Sequence, residues 1–206
     1  MRPKYRFVFA SVASIVLSLS VPRAAIWEFD PAHSAASFSV RHLMISNVRG
    51  EFHNLAGTVE WDEKSPASIK IDASIDVSTV DTRDAKRDGH LKSPDFLDAE
   101  KSPKMTFRSK SATSSGPNRY KVVGDLTIRG VTKEVALDVE VTPPIKDPWG
   151  NSKFGATATT KINRQDFGVK WNMALDSGGV VVGDEVSITI DAELQQKKAA
   201  APADKK

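Results

Sequence analysis

Every odd-numbered residue from Ile69 to Val77 is apolar and every even-numbered one is polar or charged, in the run Ile-Lys-Ile-Asp-Ala-Ser-Ile-Asp-Val. Successive side chains on a strand point to opposite faces, so a period of two over this length asks for a strand with one dry and one wet face. The period returns at Val135 to Val141. It returns again at Val186 to Leu194, where Val186, Ile188, Ile190, Ala192 and Leu194 alternate with Ser187, Thr189, Asp191 and Glu193. Strands of this kind predict an antiparallel sheet with one apolar interior and one solvated exterior.

Seven further segments read as strands: Ile26 to Asp30, Ala36 to His42, Val48 to Phe52, Gly57 to Trp61, Lys104 to Ser111, Tyr120 to Ile128 and Lys153 to Ile162. With Ile69 to Val77, Glu134 to Val141 and Val186 to Leu194 they make ten, enough to close a barrel. Turn chemistry separates them, at Ser65-Pro66, Ser115-Gly116-Pro117-Asn118, Arg129-Gly130, Pro143-Pro144 and Ser177-Gly178-Gly179. Short strands at this spacing favour a sandwich or barrel over a parallel α/β fold. The rhythm fails between Asp81 and Lys101, where charge is dense. One or two short helices are expected there, the first capped by Thr82 or Asp84 and the second entered through Pro94.

The chain has 206 residues, enough for one barrel domain. Arg2, Lys4 and Arg6 precede an uncharged stretch from Phe7 to Val21. A membrane-spanning helix needs roughly 20 apolar residues, so this shorter run reads as a secretory signal, cut between Ser20 and Ala25. The expected organisation is residues 1–25 signal peptide, 26–195 barrel domain and 196–206 disordered polar tail, with a periplasmic location. The pI near 9.0 misleads. Eight of the 29 Lys and Arg lie at the two ends, against one of the 26 Asp and Glu, leaving 21 basic and 25 acidic residues in the expected domain. That balance argues against a nucleic-acid partner. There is no Cys, so an exported domain must rely on its core without disulfides.

Enzyme signatures are missing: no Gly-x-Ser-x-Gly, no His-Glu-x-x-His, no phosphate-cradling glycine loop. His33, His42, His53 and His90 lack the close spacing of a local metal clamp. The carboxylates of Asp81, Asp84, Asp88, Asp95 and Asp98 read as helix caps and solvated faces. No catalytic residue, metal or cofactor is assigned. More telling are the apolar faces on which bulky and small residues alternate: Phe154, Ala156, Ala158, Thr160 and Ile162 on one strand, Val122, Gly124, Leu126 and Ile128 on another. Such alternation fits either a tapering barrel packed with its own side chains or one that leaves a tunnel. Eight strands stand at the boundary between the two.

Several segments together resemble the YceI family of exported polyisoprenoid-binding proteins. They are Phe29-Asp30-Pro31-Ala32-His33-Ser34, Phe38-Ser39-Val40-Arg41-His42-Leu43, Val48-Arg49-Gly50-Glu51-Phe52, Thr82 with Arg87-Asp88-Gly89-His90-Leu91, and Pro94-Asp95-Phe96-Leu97. Gly124 to Lys133, Ile162 to Gly168 and Val182 to Val186 complete the set. The resemblance runs in order from about Trp27 to Leu194. It implies an all-β fold with one or two short helices, an antiparallel eight-stranded or extended lipocalin-like β-barrel, and a helix near Asp84 to Leu91 lying against the opening of an apolar tunnel.

The implied ligand is a long isoprenoid or similar amphiphilic, quinone-like lipid. The expected lining is Trp27, Phe38, Val40, Phe52, Ile71, Ile75, Phe96, Leu97, Phe107, Leu126, Phe154, Ile162, Phe167 and Trp171. Arg41, His42, His90 and Arg164 are expected at a polar mouth, as donors to a diphosphate or carbonyl. The expected partners are that lipid, a transient membrane contact and a second copy of the chain as a homodimer. Three other readings stand beside the periplasmic carrier or buffer: an envelope enzyme acting on such a lipid, an outer-membrane barrel with charged faces lining its lumen, and a structural or stress module without lipid.

Overall fold

The computed structural model describes residues 24–62, 65, 68–176 and 178–198. Most of the expected signal segment and of the polar tail lies outside them. The elements are β1 (Ala25–Phe29), β2 (Ala35–His42), β3 (Ser46–Phe52), β4 (Ala56–Trp61), β5 (Lys70–Asp76), α1 (Ala85–Lys92), β6 (Lys104–Gly116), β7 (Arg119–Ile128), β8 (Val131–Val141), β9 (Ile145–Lys146), β10 (Ser152–Asn163) and β11 (Val182–Gln196). All ten expected strands are present, and β9 is a two-residue addition.

The pairing runs β11-β1-β4-β5-β6-β7-β8-β10, and β10 returns to β11, so eight antiparallel strands close a barrel. Closure follows from the length of β11. One of its edges pairs with β10 from Glu185 to Gln195, while the other is shared in succession, Val182 to Asp191 with β2 and Leu194 to Gln196 with β1. β3 pairs with β2 and β4 with β1, so the hairpin β2–β3 prolongs the wall upward as a flap. Its free edge reaches across to Asp81 through two backbone hydrogen bonds with Glu51, each 2.9 Å. Gly50 lets this flap close, because a Cβ there would stand 2.6 Å from both the Phe38 ring and the Thr82 methyl group.

The bend between β1 and β2 is held by charge. Asp30 accepts from the Ala32 backbone N–H at 3.0 Å, pairs with His33 at 3.0 Å, and receives Lys153 Nζ at 3.3 Å; Lys153 also lies 2.6 Å from Glu193. The first and last strands each reach beyond their expected ends. Ala25 is already in β1 opposite Trp61. Gln196 pairs with Trp27, and the Lys197 N–H donates to Ile26, so the strand continues past the point where alternation fades.

The apolar faces of the barrel point inward and the charged faces outward. Outside, opposite charges meet across neighbouring strands, as in Asp72–Arg108, Lys121–Asp138, Arg119–Glu140 and Lys161–Glu185. A membrane-spanning barrel needs an apolar outer band, so this face rules against that arrangement.

Between β5 and β6 the chain forms α1. Asp84 is its cap, at φ −150°, accepting from Lys86 N–H at 3.0 Å and Arg87 N–H at 3.1 Å. Those backbone bonds, led by the one from Arg87, hold the Asp84 carboxyl below its ordinary value. The expected second helix does not form. After Pro94 the Phe96 and Asp98 N–H groups both return to the Ser93 carbonyl and the Leu97 N–H returns to Leu91, so the segment folds back on α1 as successive turns.

A candidate binding site in the upper half of the barrel

The interior divides into two halves. The lower half holds a cluster of buried side chains around Trp27, Trp61 and Phe154, whose rings stand 4.7 Å apart for Trp27–Phe154 and Trp61–Phe154 and 6.4 Å for Trp27–Trp61. Val59, Tyr120, Val122, Leu137 and Leu194 complete this floor. Above it lies a cavity of about 360 Å³, within the ~300–1,000 Å³ usual for small-molecule sites. Phe107 and Leu137 belong to both halves, forming the roof of one and the base of the other. The two interiors that an eight-stranded barrel allows thus coexist, stacked along its axis.

Eleven of the fourteen expected lining residues face the cavity: Phe38, Val40 and Phe52 from the flap, Ile75, Phe107, Leu126 and Ile162 from the barrel wall, and Phe96, Leu97, Phe167 and Trp171 from the segments over the opening. Trp27 and Phe154 do not, because they form the floor, and Ile71 packs against that same cluster. Sequence reading also misses part of the wall. Val48, Leu91, Met105, Ile128, Val182, Val186, Ile188 and Ile190 face the cavity too. Of these, Val186, Ile188 and Ile190 lie on the alternating face of β11 and Ile128 on that of β7, so all four were open to detection by period alone.

The small residues play a different part from the one that alternation suggests. A Cβ on Gly124 would lie 2.6 Å from Phe107 Cζ and against the Arg108 carbonyl. Gly124 therefore makes room for a neighbouring ring. Ala156 and Ala158 pack on the floor cluster. On β10 the cavity is bounded by Thr160 and Ile162.

All four expected mouth residues reach the cavity, in unequal states. Arg164 is buried, and its five N–H groups are all engaged: Nε with the Gly183 carbonyl (2.9 Å), Nη1 with those of Val169 (2.7 Å) and Trp171 (2.9 Å), Nη2 with that of Val182 (3.2 Å) and with Asp184 Oδ1 (3.2 Å). Burial lowers its pKa, and Asp184 works the other way. A guanidinium offers five donors, so Arg164 has none left for a ligand. It is a clamp that ties the start of β11 to the 169–171 segment, which corrects its expected role.

His90 is half committed. Its Nε2 lies 2.9 Å from Asp95 Oδ2, and its ring meets Phe96 and Trp171 edge-on at 4.9 and 5.1 Å, with Phe96 and Trp171 5.2 Å apart. These three rings cover one side of the opening. Arg87, unforeseen as a mouth residue, bonds Thr82 through Nε (2.8 Å to Oγ1) and Nη2 (2.7 Å to the carbonyl), while Asp88 accepts from the Thr82 N–H at 2.9 Å. Arg129 holds the cover from outside, donating to the carbonyls of Pro94 (2.7 Å), Phe96 (3.0 Å) and Gly168 (3.0 Å). Arg41 remains exposed, with one long contact to Asn47 at 3.4 Å, and His42 stands beside it on the cavity side.

Two clusters of acids and histidine lie outside the cavity. In Asp30-His33-Glu193 the Lys153 ammonium already sits against both carboxylates. Glu51-His53-Asp81 is solvent-exposed at the flap edge.

A closed antiparallel barrel, packed below and hollow above, with its cationic and imidazole groups gathered at one opening, defines a cavity-bearing β-barrel of small-ligand size. Residues 27–194 match the model of the YceI-like domain, and the chain belongs to that family. The UPF0312 protein SA2479 of Staphylococcus aureus (strain N315) is 41% identical over 167 residues, covering 81% of this chain and 95% of the relative. Among solved structures, Burkholderia cenocepacia BcnA superposes with a TM-score of 0.71 at 26% identity, covering 80% of this chain and 98% of its own. A Campylobacter jejuni YceI protein reaches 0.64 at 33% identity, covering 76% and 90%. A polyisoprenoid binding domain from Saccharophagus degradans shares the fold at a TM-score of 0.63 and 13% identity, over 85% and 100%.

Proposed function

We propose that the protein binds the hydrocarbon chain of an isoprenoid or similar amphiphilic lipid in the upper cavity and serves as a periplasmic carrier or buffer for it. The observation that carries this reading is the cavity itself, with apolar walls on every side and cationic or imidazole side chains at one end only. Each buried methylene contributes on the order of 0.8 kcal/mol, whereas a single hydrogen bond contributes about 1 kcal/mol net. A chain in the cavity therefore supplies affinity, and a head group at Arg41, His42 and the outer face of Arg87 supplies orientation.

The family and the polyisoprenoid binding domain of the same fold support this class of ligand. All five N–H groups of Arg164 are held by the protein, so that cation has none left to act on a reacting group, which supports a binding role. The decisive experiment is solvent extraction of natively purified protein followed by mass spectrometry. About one equivalent of a long-chain lipid is expected. Polar cargo, or an empty protein that takes up no apolar fluorescent probe, would overturn the reading.

A further inference from the structure

Among the described residues, five large apolar side chains are prominently exposed. Two, Ile145 and Trp149, lie in the β8–β10 connection; the other three, Met44 (50%), Ile45 (77%) and Met173 (58%), lie around the opening of the cavity. The Leu43 N–H donates to the Val181 carbonyl at 2.8 Å and the Val181 N–H to that of Met173 at 2.9 Å, so the β2–β3 turn and the 173–181 hairpin form one rim. His42, Trp171, Val181 and Val182, immediately inside it, line the cavity. The apolar surface is thus continuous from the interior to the outermost tip.

The backbone adds an independent observation. Leu43 and Met44 stand at φ +50° and +62°, and Ile45 N–H closes the turn onto the His42 carbonyl at 3.1 Å. Turns with two central residues at positive φ are the natural place for Asn-Gly. Here a Leu-Met pair takes that strained conformation, and Met44 and Ile45 project at the tip. Strain of this kind persists where it serves a site. The charges beside the rim lean basic: Arg41 and Lys170 are exposed and, among the described residues, make no ion pair, against one carboxylate on the hairpin, Asp176. Asp184 and Glu185 are already engaged by Arg164 and Lys161.

Resting on the lipid-binding reading, we propose that this rim is a docking surface for a bilayer with anionic head groups, from which cargo enters the cavity. Apolar side chains flanked by Arg and Lys are the composition that seats a protein at a head-group interface. A mouth opening inside the seated rim lets a hydrocarbon chain pass without crossing water. Cargo entry, more than attachment, then explains why rim and cavity are continuous.

The test is flotation of the purified protein with vesicles of phosphatidylcholine alone or mixed with phosphatidylglycerol, with light scattering for oligomeric state and lipid extraction run separately. The protein is expected to float with the anionic vesicles and less at high salt. Met44→Ser/Ile45→Ser/Met173→Ser should lose at least tenfold in partitioning with an unchanged circular dichroism spectrum. Met44→Gly should weaken partitioning several-fold with an equal or higher melting temperature, because glycine relieves the positive φ. Failure of the protein to float, equal binding by the triple variant, or a rim that mediates self-association in place of vesicle binding would each overturn the proposal. Intact flotation with no lipid in the extract would leave docking standing and overturn the cargo reading.

Discussion

Arg164 Nη1 donates to the carbonyl of Trp171 at 2.9 Å, so a buried cation fixes the backbone beneath an aromatic wall of the cavity. Four of its five bonds go to main-chain carbonyls of two segments, which Asn172 also ties together, donating from Nδ2 to the Val182 carbonyl at 2.7 Å and accepting at Oδ1 from the Val182 N–H at 3.0 Å. Removing the guanidinium leaves buried acceptors unpaired. Arg164→Met is expected to cost about 3 kcal/mol or more in urea unfolding. Arg164→Lys should recover little of it, because an ammonium cannot span the same fork. Loss of stability with both variants, alongside a shifted tryptophan emission, checks the assignment.

Gly124 and Phe107 form a matched pair across β6 and β7. Gly124→Ala is expected to cost about 2 kcal/mol through overpacking, since the added methyl meets both the Phe107 ring and strand backbone. A smaller side chain at 107 should relieve the part of this cost that comes from the ring and leave the part that comes from the Arg108 carbonyl. In the double variant Phe107→Leu/Gly124→Ala the two costs should sum to more than the measured loss, read from denaturation midpoints.

Ile75 projects from β5 into the cavity. Ile75→Trp should occupy ligand space at a stability cost below about 1.5 kcal/mol, because the added volume enters a void. Uptake of an apolar fluorescent probe and recovery of extracted lipid should both fall severalfold. Unchanged uptake would place the binding space elsewhere.

Acid should loosen the β1–β2 bend. The His33 hydrogen bond, followed by the Ala32 N–H and Lys153, holds the Asp30 carboxyl below its ordinary 3.8. A depressed carboxyl stabilises the fold above its unfolded value and loses that contribution as pH falls through the folded value. The melting temperature should therefore drop more steeply below about pH 4 in the native protein than in Asp30→Asn. Lys153, raised chiefly by Glu193, carries the opposite sign: its contribution is full below 10.5 and disappears as pH rises through its elevated value.

The strands were legible because half-burial imposes a period of two, sustained at Ile69 to Val77, Val135 to Val141 and Val186 to Leu194, and because turn chemistry bounds the rest. The α1 cap was legible because Asp84 precedes a charged run with helix-compatible spacing. The absence of a second helix was not, since the backbone groups after Pro94 bond back to the end of α1 and no local pattern carries that preference. Within the site, period two placed Ile75, Leu126 and Ile162 on the inner face. It could not tell which inward residues lie below Phe107 and Leu137 and which above, so Trp27, Ile71 and Phe154 were assigned to a lining they do not form.

Sequence alone determined that this chain builds an antiparallel barrel with charge outside and apolar side chains within, because alternation is a local property written along each strand. Only the tertiary structure decided where the interior is filled and where it is hollow. Packing is a relation between distant residues: three rings from β1, β4 and β10 meet to close the floor, and Gly124 is spent on the ring of Phe107. Likewise Arg164 reads as a ligand donor until five acceptors from separate segments are seen to surround it.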